Sequence, residues 1–157
     1  MHVNWTTLWE EAIARFSLGT ESIHGLEHWQ RVERYGVTLT EHNGGDVLVV
    51  RLFAVCHDVG RLHDGIDDGH GVRGAAAAAE WREILYTLPD TAFSLLHEAC
   101  CRHTNGQQSD DPTIGACWDA DRLDLWRAGI TPREDMMSTT HARELVRAGK
   151  IGPHHLP

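Results

Sequence analysis

The stretch "DVLVVRLFAVCHDVG", residues 46–60, decides the fold that we expect for this chain. It is almost continuously apolar and ends in the polar pair His57-Asp58. Its length and the helix-terminating Gly60 favour a buried α-helix with Asp46 as the N-cap. A buried strand stays open as an alternative, because β-branched residues are frequent at its start: Val47, Val49 and Val50.

The segments on either side carry apolar residues at helical spacing. Ahead of the stretch, a first helix is predicted from Asn4 to near Gly19, and a second from a cap at Ser22 to the stop at Gly44-Gly45. Behind it, a glycine-rich polar loop leads into an alanine-rich helix, and Pro112 marks a later helix start. We therefore predict an all-α fold, a compact bundle of about seven or eight helices.

Length and composition point to one domain over residues 1–157, with a helical extension and an irregular tail over 131–157. Apolar residues make up 41% and charged residues 24%, as in ordinary globular proteins. We see no signal peptide or membrane span, and the four cysteines lack CxxC spacing, so a cytoplasmic protein is expected. The net charge of −9 disfavours binding to nucleic acid.

Polar residues interrupt several faces that should be apolar. His28 falls inside the second predicted helix, His57 and Asp58 end the most buried one, His103 ends another, and Asp121 lies within "CWDADRLDLW". Burying such groups is costly unless they are paired or bind a metal ion. Imidazole nitrogen and carboxylate oxygen together suit divalent first-row metals.

These residues also carry a resemblance to a known family. "HWQRV" from His28, "HDVGR" from His57 and "DRLD" from Asp121 resemble the H…HD…D motif of the HD superfamily of metal-dependent phosphohydrolases. The likeness runs over residues 24–124 and implies an all-α HD-domain bundle. It implies metal ligation by four residues, with Asp121 preferred over its neighbouring aspartates because it directly precedes Arg-Leu: His28, His57, Asp58 and Asp121.

Two further matches extend the implied ligand set. "HGVRGAAAAA" from His70 resembles the helix start of binuclear HD proteins, and "RHTNG" around His103 resembles a motif of HD enzymes that cleave dinucleoside tetraphosphates. The resemblance thus implies one or two divalent transition-metal ions, of Mn, Fe, Zn, Ni or Co. Asp58 would also take part in catalysis, and His24 and Arg61 are candidates to contact substrate.

Each of these residues also has a purely structural interpretation. His103 could stabilise the negative end of its helix, and His70 could be solvated between two glycines. Arg61 could be a surface charge, and Arg122 is expected to form an internal ion pair. The loop aspartates could supply a general acid or tune the metals, although a solvated acidic loop is favoured: Asp64, Asp67 and Asp68.

The function expected from the resemblance is hydrolysis of a small nucleotide or other phosphate ester by a metal-activated water. One alternative is a di-iron HD-type oxygenase that cleaves a C–C or C–P bond. Another is a sensor that binds metal or nucleotide without turnover. The partner expected is a small phosphorylated substrate, without nucleic acid or membrane, and a homodimer is left open.

Overall fold

The computed structural model describes residues 2–156 and shows an all-helical architecture. No sheet forms among these residues; two isolated bridges join Tyr86 to Val3 and to Arg82. The predicted all-α class is confirmed, and a strand at Val47–Val50 is wrong. The α-helices are α1 (Trp5–Arg15), α2 (Leu26–Asn43), α3 (Val47–Cys56), α4 (His70–Trp81), α5 (Asp90–Arg102), α6 (Pro112–Leu123) and α7 (Thr140–Arg147), with 3₁₀ turns at Leu125–Ala128 and Glu134–Met136.

Helix α3 lies at the centre of the bundle. Its N-terminus begins as predicted, because the Asp46 carboxylate accepts hydrogen bonds from the backbone N–H groups of Leu48 and Val49. Every residue from Leu52 to Cys56 is buried, and α3 packs against α2, α4, α5 and α6. Burial of each large apolar side chain contributes about 1.5–3 kcal/mol. This helix therefore anchors the polar pair that follows it inside the bundle.

The second helix begins later than the sequence predicted. Its N-cap is Gly25, and Ser22 caps nothing in α2; the Ser22 hydroxyl instead accepts a hydrogen bond from the backbone N–H of His24 in a turn ahead of the helix. Phe16 ends α1 early and packs edge-on against Trp29, which holds this turn against the bundle. His28 consequently lies in the first turn of α2, and His24 is not on the same helix.

Two glycines of α4 allow its neighbours to approach closely. A Cβ at Gly74 would lie 2.4 Å from the Cys56 carbonyl oxygen of α3, and one at Gly71 would lie 2.4 Å from the Cys100 carbonyl oxygen of α5. Only hydrogen fits at both positions. The C-terminal ends of α3 and α5 therefore pack directly against the backbone of α4. This close packing brings the histidines at these helix ends together.

The C-terminal residues dock on α6 through one buried carboxylate. Asp119 accepts hydrogen bonds from the backbone N–H groups of Ser138 (2.8 Å) and Thr139 (2.7 Å), immediately ahead of α7. The helical piece expected near Thr131 is a 3₁₀ turn over Glu134–Met136. The α7 helix confirms the predicted last helix, and residues 151–156 form no helix, as expected of the tail.

All four cysteines are unpaired. Within residues 2–156, none of the helices has the length and apolar character needed to cross a membrane.

Candidate metal centre

The six side chains that the sequence motifs marked come together inside the bundle, although they lie on five different parts of the chain. Two groups of three could each hold a metal ion, with all donor atoms within 4.8 Å of one another. Asp58 belongs to both groups. The first group is His28, His57 and Asp58, and the second is Asp58, His70 and His103; Asp121 lies beside the first, with Oδ1 3.3 Å from His28 Nε2.

Two of the histidines are oriented by the ends of the helices that they terminate. His57 is the C-cap of α3, and its Nδ1 lies 3.1 Å from the Ala54 carbonyl oxygen. His103 is the C-cap of α5, and its Nδ1 lies 2.8 Å from the Cys100 carbonyl oxygen. A carbonyl oxygen only accepts, so Nδ1 carries the hydrogen in each ring. The Nε2 atom then presents a lone pair to the centre.

The other two histidines are held in the same tautomer by different acceptors. His28 Nδ1 lies 2.7 Å from the Asp124 carboxylate, and His70 Nδ1 contacts the Asp67 carbonyl oxygen just ahead of α4. A hydrogen bond from one ring nitrogen to a carboxylate or carbonyl is the usual way in which proteins orient a metal-binding imidazole. All four Nε2 atoms therefore point inward as potential ligands.

These four Nε2 atoms form two facing pairs. His28 and His57 place their Nε2 atoms 3.0 Å apart, and His70 and His103 place theirs 2.9 Å apart. Two lone pairs at this separation repel each other unless a proton or a metal ion lies beside them. Imidazole nitrogens bind divalent metal ions at about 2.0–2.1 Å, so two such nitrogens this close together could share one ion. The donor set therefore fits divalent metal ions.

Asp58 lies between the two pairs and presents one oxygen to each. Its Oδ2 is 3.6 Å from His28 Nε2 and 3.7 Å from His57 Nε2. Its Oδ1 is 3.1 Å from His70 Nε2 and 3.5 Å from His103 Nε2. A carboxylate in this position can bridge two ions, one for each histidine pair.

Both carboxylates of the centre are held in the charged form. Burial alone raises the pKa of Asp58, but the surrounding imidazoles of His57, His103 and His24 outweigh burial and hold that pKa well below its ordinary value. Burial also raises the pKa of Asp121, but the neighbouring His28, His57 and Arg127 side chains outweigh burial, so that this pKa too is lowered. Ionised carboxylates are the form that metals bind.

The net pKa shifts of two of the histidines have opposite directions. Burial lowers the pKa of the His57 imidazole to about 3, which leaves this ring neutral at ordinary pH. Burial also lowers the pKa of His103, but the hydrogen bond with Asp58 outweighs it, and this pKa is raised above its ordinary value. The two histidine pairs therefore differ in how readily protons compete for them.

The three aspartates of "DADRLD" have three separate positions. Asp121 faces the first histidine pair, as the motif predicted. Asp124 lies behind that pair, where it accepts from His28 Nδ1 and from Arg31 Nε (2.8 Å). Asp119 points away to the C-terminal segment, and the ion pair expected for Arg122 is with Asp119, at 3.7 Å.

His24 and Arg61 both contact Asp58 rather than open space. His24 Nδ1 lies 2.9 Å from Asp58 Oδ2, and Arg61 Nε donates to Asp58 Oδ1 at 3.1 Å. A second Arg61 nitrogen donates to the Gly65 carbonyl oxygen. These two side chains therefore fix the shared carboxylate from both sides.

Sequence reasoning missed one cation at the centre. Arg127 Nη2 lies 3.4 Å from His24 Nδ1 and 3.8 Å from Asp121 Oδ1. The sequence predicted continuous helix through this region, whereas α6 ends at Leu123 and the 3₁₀ turn redirects Arg127 toward the turn ahead of α2. Its only signal in the sequence is its position shortly after the "DRLD" motif.

The acidic loop ahead of α4 contributes structure rather than a free acid. The Asp67 carboxylate pairs with Arg73, 2.5 Å away, and accepts a hydrogen bond from the Leu62 N–H. The Asp64 carboxylate accepts a hydrogen bond from the Ser22 hydroxyl. Asp67 thus fixes the loop, and its carbonyl oxygen orients His70.

Comparison with a solved structure identifies the fold. The chain is similar to a solved structure from an uncultured Thermotogales bacterium, described as a predicted HD superfamily hydrolase. The TM-score is 0.73 at 19% sequence identity, over 93% of this chain and 84% of that one. No family model matches the sequence, and no curated protein matches it either. The chain therefore has the HD-domain fold that its motifs predicted.

Proposed function

We propose that this protein is a metal-dependent phosphohydrolase that acts on a small nucleotide or another small phosphate ester. The observation that carries the proposal is that two pairs of histidines, His28 with His57 and His70 with His103, share the Asp58 carboxylate. The fold supports it, because the similar solved structure is described as a predicted hydrolase of the HD superfamily.

The residues that would hold the ions divide into two sets around Asp58. One ion would be held by Asp58 Oδ2 with His28, His57 and Asp121, and a second by Asp58 Oδ1 with His70 and His103. When bound, divalent ions of this kind lower the pKa of a water molecule and neutralise charge on a phosphoryl group. The mixed nitrogen and oxygen donors suit Mn, Fe, Zn, Ni or Co.

The substrate would approach from the side of Asp121. This side chain is 16% exposed, whereas the other five candidate ligands are almost fully buried. Arg127 lies on the same side, beside Asp121. A guanidinium there would attract and orient the negatively charged phosphoryl group.

His24 and Arg61 would hold the shared Asp58 carboxylate in a fixed orientation. They donate to opposite oxygens of Asp58, which limits rotation of that side chain. Their part in the reaction would then be to fix Asp58. The resemblance implied a different role for His24 and Arg61, namely direct contact with the substrate.

The proposal is tested by metal content and turnover on the same preparation. Protein purified without chelators or a His-tag should contain close to two equivalents of metal by elemental analysis, and should release phosphate from small esters. His57→Asn should abolish turnover and lower metal content, whereas His97→Asn, at an exposed position on α5, should change neither.

Other results would support the alternatives. Iron as the dominant metal, with oxygen consumption and no phosphate release, would favour the oxygenase. Tight nucleotide binding without phosphate release would favour a sensor. Absence of metal after manganese, zinc and iron have been added back would refute both enzymatic functions.

A further inference from the structure

A cavity of about 770 Å³ adjoins the metal centre. It lies between α1, the turn ahead of α2, the first turns of α2, and the 3₁₀ turn at Leu125–Ala128. His28 and Arg127 line this cavity and also belong to the centre. Its volume is within the range of about 300–1,000 Å³ that is usual for small-molecule sites. A ligand in the cavity would therefore be next to one candidate metal ligand, His28.

The cavity is lined by aromatic and aliphatic side chains. Phe16 and Trp29 meet edge to face with ring centroids 5.1 Å apart, and Trp126 lines the cavity too. Three aliphatic residues of the lining are substantially exposed: Ile13 (47%), Ile23 (41%) and Leu26 (38%). Single exposed aliphatic residues are normal, but several around one cavity mark a binding site.

Two polar atoms of the lining, the indole nitrogens of Trp29 and Trp126, lack a hydrogen-bond partner among residues 2–156. The Trp29 side chain is fully buried. Leaving a buried donor unpaired costs about 1–3 kcal/mol, so such atoms call for an explanation. Both indole rings belong to the wall of the cavity, so this wall combines aromatic surface with unpaired hydrogen-bond donors.

We propose that this cavity binds the organic group of the substrate, and that this group is an aromatic ring. The inference rests on the proposed function, because the phosphate on that ring would have to reach the metal centre. The ring would pack on the aromatic and aliphatic wall of the cavity, while the phosphate lies toward His28 and Arg127. Small phosphate esters without a ring would leave the wall exposed and bind less tightly.

Binding is measured first, because it does not depend on turnover. Metal-loaded protein is titrated calorimetrically with benzylphosphonate and with methylphosphonate, two analogues that cannot be hydrolysed. We expect benzylphosphonate to bind at least about tenfold more tightly, since it buries additional apolar surface. Equal affinities of the two phosphonates would overturn the proposal.

Two leucine or isoleucine to aspartate variants, one in the cavity wall and one outside it, test whether the cavity is responsible for this preference. Leu26→Asp places a carboxylate among the apolar side chains, and an acidic residue in the first turn of α2 is compatible with helix formation. The preference for benzylphosphonate should fall by about tenfold or more. Ile84→Asp changes an isoleucine that is 77% exposed and does not line the cavity, so it should keep the preference.

Turnover then separates this proposal from the proposed function. Benzyl and methyl phosphate have leaving alcohols of similar acidity, so a difference in KM between them reports binding of the organic group. Equal hydrolysis of both would support phosphohydrolysis and overturn the cavity proposal. No hydrolysis of either, together with Leu26-dependent binding of benzylphosphonate, would support the cavity and refute phosphohydrolysis.

Discussion

His28 and His57 face each other through Nε2 atoms 3.0 Å apart, although the second nitrogen of each ring already has an acceptor. No hydrogen bond between two neutral rings in these tautomers is available, because neither Nε2 carries a hydrogen. The same arrangement recurs at His70 and His103. The bundle thus holds four imidazoles in an arrangement that only a cation or added protons can stabilise.

Asp58→Asn should remove metal from both histidine pairs at once. The amide lacks the charge that the carboxylate shares between them, so we expect metal content to fall toward zero rather than toward one equivalent. Turnover should fall by more than the roughly 10- to 100-fold that loss of an outer hydrogen-bond partner costs. Elemental analysis and phosphate release measure the two effects. Retention of one full equivalent would show that Asp58 does not serve both pairs.

Asp124→Asn should weaken metal binding without abolishing it. This carboxylate accepts from His28 Nδ1 and fixes the tautomer of a single ring. Loss of such a partner lowers metal affinity by roughly 10- to 100-fold. Titration with a competing chelator measures the change, and Asp110→Asn, at an exposed position, is the control. An affinity equal to that of the control would mean that Asp124 does not orient His28.

Asp119→Ala should destabilise the protein while leaving the metal centre intact. The substitution leaves the backbone N–H groups of Ser138 and Thr139 without their acceptor. The expected loss is about 2–5 kcal/mol in the free energy of unfolding, measured with denaturant. Metal content of the folded protein should stay at the wild-type level. A lower metal content would place this aspartate, and not Asp121 alone, in the centre.

Metal should leave in two steps as the pH falls. Protons compete with metal for Nε2, and the pKa of His103 is raised above its ordinary value whereas that of His57 is lowered to about 3. His103 therefore takes up its proton first, and the ion at the His70 and His103 pair is released at the higher pH. Dialysis between about pH 8 and about pH 4 should therefore remove the ion at His70 and His103 and leave the ion at His28 and His57, which is released only at lower pH; metal content after dialysis measures this order. A His103→Asn variant should lose its remaining metal in a single step at the lower pH.

Gly71→Ala should disturb the second histidine pair. The added Cβ would lie 2.4 Å from the Cys100 carbonyl oxygen, so α4 and α5 must move apart. Overpacking of this kind costs about 1–3 kcal/mol, and the separation between His70 and His103 should increase. Thermal unfolding and metal content measure the two effects. Val72→Ala, at a 58% exposed neighbour on the same helix, should change neither.

The sequence predicted the parts of the centre that stand out against an apolar background. His57 and Asp58 were visible because they end a buried helix, and Asp121 because of the motif around it. The orienting partners were not visible, because the carbonyl oxygens of Asp67 and Cys100 are recognisable only once the chain has folded. Arg127 was missed for a related reason: helical periodicity continues past Leu123, and only the observed 3₁₀ turn changes its direction.

The helix starts likewise divide into those that a local sequence signal predicts and those that depend on packing in the folded chain. Asp46 was predicted as an N-cap and Pro112 as a helix start, and the Asp46 and Asp111 carboxylates both accept backbone hydrogen bonds at these two helix starts, because capping by a short side chain is a local signal. Ser22 was predicted as a cap and is not one, because the turn that contains it is set by the packing of Phe16 on Trp29. Local capping chemistry is readable from sequence, but competition from distant packing is not.

The sequence separation of the facing histidines has a consequence for how the chain is held together. His28 and His57 are 29 positions apart, and His70 and His103 are 33 positions apart. An ion bound by each pair would close a long loop, which restricts the unfolded chain as a covalent cross-link does. In a protein whose four cysteines are all unpaired, the ions would be its only such cross-links within residues 2–156. Resistance to unfolding would then rise and fall with the supply of free metal.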